Sequence, residues 1–172
     1  MLIERFENTG ISLSTRFESE IITLGDAAAV FKFLDEAIQA SLRQLRLQIV
    51  NAENEIPEII SKVSIESGSI KTLVQFLKRR DYQVGIAGSL TASLIWAVAT
   101  YPWTGNTEVK TNVPVPQTIY RLPIDPLIAG MANVMNQTGK PWSIELEAED
   151  PYHSGNLKVT IRGNQVQSNG GL

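Results

Sequence analysis

Apolar positions along this chain change period several times, and each change predicts an element. Between Ile11 and Glu18, Ile11, Leu13, Thr15 and Phe17 alternate with Ser12, Ser14, Arg16 and Glu18. A period of two marks a strand with one buried face. Asn8-Thr9-Gly10 ahead of it is a turn signal, so residues 2–20 are expected to form a β-hairpin. The spacing then lengthens. Val30, Leu34, Ile38, Leu42, Leu45 and Ile49 recur every three or four residues, with Lys32, Asp35, Glu36, Gln39, Arg43 and Arg46 mostly off the stripe. This predicts an amphipathic helix from Ala27 to about Asn51, with Asp26 as its N-cap and the stripe turned to the core.

Pro57 ends any helical reading. Lys62 to Glu66 alternates again, with Val63 and Ile65 on one side, as a strand does. Ser67-Gly68-Ser69 is a turn. The next run fits two periods. Ile70, Leu73, Val74 and Leu77 suit a short helix; Ile70, Thr72, Val74 and Phe76 suit a strand. Ser69 as a cap and Lys78-Arg79-Arg80 at the far end favour the helix.

The polar–apolar pattern then disappears. Tyr82 to Thr107 carries no formal charge, and its centre, Val84 to Tyr101, reads VGIAGSLTASLIWAVATY. Basic residues on one flank and Tyr82, Tyr101 and Trp103 near the ends give the outline of a transmembrane helix. Gly85, Gly88, Ser89, Thr91, Ser93 and Thr100 dilute it. Small residues recur at Gly85, Ser89, Ser93 and Ala97, a helix face that lets another backbone come close. These four, with Trp96, are the expected interaction residues. A helix apolar all round is buried either in lipid or in protein.

Beyond Pro102 the reading is an irregular stretch, 103–118, with Val113-Pro114-Val115-Pro116 extended. A helix is expected over Pro126 to Gln137, capped by Asp125 and ended by Gly139. The last unit is a hairpin. Trp142, Ile144, Leu146 and Ala148 alternate with Ser143, Glu145, Glu147 and Glu149; after a polar loop, Leu157, Val159 and Ile161 alternate with Lys158, Thr160 and Arg162. The expected register sets Leu146 opposite Ile161, Glu149 opposite Lys158 and Glu145 opposite Arg162. The tail from Gln165 reads as flexible.

The order of elements makes the protein α+β, with antiparallel hairpins at both ends, a long amphipathic helix and a central apolar helix. A single domain is expected over residues 1–164, with a tail at 165–172. The 172 residues, 43% hydrophobic and 19% charged, support a substantial core. If residues 2–20 and 142–162 share a sheet, one span at 84–101 would separate its halves. That favours burial in protein over a bilayer.

Composition narrows the chemistry. A net charge of −3 gives no field that favours nucleic acid. Cysteine is absent, which excludes thiol nucleophiles, disulfides and cysteine metal sites. Glu4, Arg5 and Glu7 stand where a signal peptide needs an apolar core, so the expected location is cytoplasmic, free or membrane-associated. His153 is the one histidine and lies in the turn Asp150-Pro151-Tyr152-His153-Ser154-Gly155. Adjacency in a turn is not the geometry of a triad, and a solvated loop histidine is the reading preferred. The row Glu145, Glu147, Glu149 and Asp150 reads as a solvated face balanced by Lys158 and Arg162 rather than a cation site. Gly85-Ile86-Ala87-Gly88 lacks the lysine and third glycine of a phosphate loop. No catalytic residue, cofactor or metal is therefore expected. The leading expectation is a non-enzymatic interaction or assembly protein, self-associating or bound to a protein partner through the small-residue apolar helix. The alternatives are a membrane-anchored protein with one span near 84–101, and a hydrolase using acidic residues near His153.

Overall fold

Strand β1 (Gly10–Ser19) lies inside a six-stranded antiparallel sheet and organises it. The computed structural model describes residues 10–48, 59–77, 81–150 and 155–165. After β1 come helix α1 (Leu24–Gln48), the hairpin of β2 (Ile59–Glu66) and β3 (Ser69–Leu77), and helix α2 (Asp81–Thr100). The short strand β4 (Glu108–Thr111), helix α3 (Asp125–Gln137) and the hairpin of β5 (Trp142–Glu149) and β6 (Asn156–Gly163) complete the chain. The order across the sheet is β2-β3-β1-β5-β6-β4. The protein is α+β, with the helices on one face of the sheet.

Alternation decides which face. Leu13, Thr15 and Phe17 of β1, Ile70, Thr72 and Val74 of β3, and Ile144, Leu146, Val159 and Ile161 of the last hairpin are all buried on one side. Their neighbours on the other side, among them Arg16, Lys71, Glu145, Lys158 and Arg162, reach solvent. An antiparallel sheet packed on one face and wet on the other takes this pattern. Two hydroxyls on the buried face of the sheet, Thr15 and Thr72, lie opposite each other on β1 and β3 and hydrogen-bond to one another. Each thus satisfies the other where water is excluded.

The partners of β1 differ from the expected hairpin. Over Leu13 to Glu18 one side is paired to β3 and the other to β5. The first nine residues lie outside the described ones. The second correction concerns Ile70 to Leu77, which is strand β3 and not a short helix. Its local sequence fits both periods, and β1 and β2 on either side supply ladder bonds that settle the choice. The third is β4, which has four residues and an exposed, charged composition that gives no strand signal of its own.

The caps also differ. The N-cap of α1 is Thr23, not Asp26. The Asp26 carboxylate accepts from the Thr23 N–H at 2.8 Å and from the Thr23 hydroxyl at 2.8 Å, while the Asp26 N–H donates to Thr23 Oγ1 at 3.1 Å. This is a capping box with aspartate in the role of glutamate. For α3 the N-cap is Ile124, with no side-chain bond, and Asp125 stands in the first turn beside Pro126. Left-handed Gly139, φ 67°, follows the end of α3.

The β5–β6 hairpin forms two residues out of the expected register. Leu146 faces Val159, Ile144 faces Ile161, Glu147 faces Lys158, and Glu145 faces Thr160. A shift of two keeps every side chain on its face, so Ile161 is still buried. Trp142 lies opposite Gly163 and its indole N–H donates to Asn136 Oδ1 at 2.9 Å. A Cβ on Gly163 would overlap the Trp142 ring. Gly163→Ala should therefore cost about 2 kcal/mol by overpacking. Urea unfolding measures this, and an unchanged midpoint would mean that the indole can move aside.

Candidate functional site

The uncharged segment became α2, and every residue from Gly88 to Ile95 is buried. Its backbone comes within 8 Å, Cα to Cα, of β1, β4, β5 and β6 and of α1. Small side chains permit such an approach. Among the described residues no helix is long and apolar enough to cross a membrane. The apparent span at 84–101 is thus corrected: glycine, serine and threonine lower its hydropathy, and protein surrounds its middle, Gly88 to Ile95.

Of the expected interaction residues, Ser89 and Ser93 are buried inside the chain, Trp96 and Ala97 are half-buried, and the surroundings of Gly85 lie outside the described residues. Ser93, at 1% exposure, meets a backbone of its own chain. Its hydroxyl donates to the Thr118 carbonyl at 3.5 Å and accepts the Tyr120 N–H at 3.3 Å. Ser93, Trp96 and Ala97 share a groove of about 270 Å³ with Ile119, Tyr120 and Leu122. This face therefore anchors the coil between β4 and α3, and its buried serines are not open to another molecule.

His153 lies outside the described residues. The acidic row on β5 faces solvent, and of the two expected counter-ions Lys158 serves it, whereas Arg162 lies 3.8 Å from Glu108 of β4. Lys158 reaches Glu145 at 3.0 Å, and Asn156 donates to Glu147. Among the described residues no cluster of three or more histidine, cysteine, aspartate or glutamate side chains could hold a metal. A second groove, about 340 Å³, runs between α1 and α3 along Ala28, Phe33, Leu127 and Met131. Its one charged lining residue is Lys32, so it offers no acid–base pair.

The residues missed by the sequence are on β2. Ser61 to Glu66 are all exposed, on both faces of the strand. Val63 and Ile65 lie opposite Thr72 and Ile70, on the helix side of the sheet. Yet they are 54% and 69% exposed, while Thr72 and Ile70 are 5% and 1%. The helical layer stops over β3. Among the described strands β2 is also an end of the sheet, and an end strand offers backbone groups on its outer side. The alternation was visible in the sequence; that none of the described residues covers it was not.

Charge surrounds this edge. Lys71 Nζ reaches Glu66 at 2.9 Å. The hydrogen bond from Lys71, then its charge, hold the Glu66 carboxyl below its usual range, with a smaller contribution from Arg16. A depressed carboxyl favours the ordered hairpin above its ordinary pKa, and that contribution is lost on acidification through the lowered one.

No family model matches the chain, and no curated protein matches it. Over 52% of its length the chain is similar to a solved structure, the crystal structure of the periplasmic protease PqqL from Escherichia coli, at 18% identity and a TM-score of 0.29. The match spans 10% of that protein's chain. A likeness of this size carries no argument about fold or activity.

Ser93→Leu should lower stability by about 2 kcal/mol, because the larger side chain drives the 118–120 backbone off α2. The loss should be the same at every protein concentration in urea titrations. A loss that grows on dilution would place the contact between chains instead.

Proposed function

We propose that the protein is a non-enzymatic assembly protein that self-associates through the open edge of its sheet at β2. One observation carries the reading: Val63 and Ile65 stay exposed on the sheet face whose neighbouring side chains are buried. Exposed apolar residues scattered singly need no explanation. Two on one strand, beside unpaired backbone, make a surface to which another strand can add. Covering a valine or isoleucine fully is worth roughly 1.5–3 kcal/mol each, and a symmetric contact covers each residue twice.

The opposite edge differs. β4 has four residues, and Glu108 and Lys110 pair at 3.2 Å on it. Short, charged edges resist strand addition. The proposed assembly contact is therefore set at β2 rather than on α2, where Ser89 and Ser93 are buried inside the chain.

Size-exclusion chromatography with light scattering should find a discrete oligomer in the absence of detergent. Val63→Lys should dissociate it while leaving the circular dichroism spectrum unchanged, since the side chain is exposed in the monomer. A wild-type protein that remains monomeric up to about 100 µM, a weak threshold for a standing contact, would overturn the reading.

A further inference from the structure

The sequence along β2 is chemically self-complementary. Lys62-Val63-Ser64-Ile65-Glu66 reads basic, apolar, small polar, apolar, acidic. Reversed, it places acid against base and apolar against apolar. We propose that the occupant of this edge is a second copy of the chain, paired antiparallel through β2 about a two-fold axis at Ser64. The proposal rests on the self-association reading and adds its register, its symmetry and its closure.

The register follows from symmetry. Two antiparallel strands in one sheet are related by a two-fold axis normal to the sheet, which keeps each side chain on its own face. The helices of both copies then lie on the same side, and Val63 and Ile65 of one copy meet Ile65 and Val63 of the other there. Directly opposite residues must share a face, so the axis passes midway between one residue and its own copy. Centred on Lys62, the pairing would oppose two lysines. Centred on Val63, it would set Lys62 against Ser64 and Ser61 against Ile65. Centred on Ile65, it would set Ser64 against Glu66 and Val63 against Ser67. Only Ser64 at the centre places Lys62 against Glu66 twice, with both apolar pairs between them.

Backbone geometry agrees. The two-residue turn Ser67-Gly68, with Gly68 at φ 75°, joins Glu66 to Ser69. The bond across such a turn directs the backbone groups of Glu66 toward β3. Alternation then directs those of Ser64 and Lys62 the same way, and those of Val63 and Ile65 to the open edge. Val63 and Ile65 of the two copies would exchange the bonds, and Ser64 would face Ser64 as a non-bonded pair with Cα atoms about 4.5 Å apart. Each copy uses its one β2 edge, so the contact closes as a dimer and does not propagate.

Absence of cysteine makes the test clean. Ser64→Cys should form an intermolecular disulfide on mild oxidation, because that spacing lies within disulfide range. Ser61→Cys, opposite Ser67, should not. Lys62→Glu and Glu66→Lys should each weaken the dimer by about tenfold, since each change makes two like-charge pairs. Mixed in equal amounts, the two variants should associate with near wild-type affinity, because both cross-strand pairs are again opposite in sign. A discrete oligomer with no Ser64→Cys cross-link and no recovery on mixing would overturn the register while leaving self-association standing. Growth beyond a dimer would overturn the two-fold closure. A monomeric wild-type protein would remove both this inference and the reading beneath it.

Discussion

Strand β1 is hydrogen-bonded to β3 along one side and to β5 along the other, and this double pairing holds distant parts of the chain together. Thr15 faces Thr72 across one ladder and Leu146 across the other. Two hairpins that would be marginal alone become one sheet with a continuous buried face. Everything between them must begin and end at that sheet. The uncharged helix is therefore held on the sheet, since a bilayer crossing would separate strands that are neighbours.

The composition of α2 suits that position. A helix lying on a sheet and against another helix needs a surface that is apolar but low. Ser93 lets the 118–120 backbone approach, while Leu90, Leu94, Ile95 and Val98 fill the core. The polar atoms introduced by small residues are satisfied locally, as Ser93 is by Thr118 and Tyr120. An unsatisfied hydroxyl there would cost about as much as the close packing returns. The same residues that weaken the helix as a membrane span make it fit a protein interior.

The two ends of the sheet are treated differently. At β4 the edge is short and charged. At β2 it is twice as long, with apolar side chains on the helix side and ionic ones on the other. Lys62 and Glu66 do not cover Val63 and Ile65. They flank them on the opposite face of the strand, the arrangement on which the proposed pairing register rests. In the proposed dimer such an edge would combine attraction with selectivity, the combination that separates a specific contact from aggregation.

Periodicity by itself determined the strand at 11–18, the long helix, the short helix after Pro123, and the last hairpin with its buried face. In each of these, one period wins clearly over the others. It also determined that α2 must be buried in protein or in lipid, without deciding between them. Tertiary structure decided the rest, for physical reasons. Ile70 to Leu77 supports both periods, so only the ladders on either side could make it β3. β4 is too short to carry a pattern. Thr23 and Asp26 could each cap α1, and geometry assigned Thr23. The hairpin register could slip by two without moving a side chain off its face. Above all, the sequence at Val63 and Ile65 states only that one side of a strand is apolar. Whether a helix covers that side depends on where the helical layer ends, which is a property of the whole fold. Among the described residues it ends one strand short, and so the surface proposed for a partner lies on a strand whose pattern reads as ordinary core.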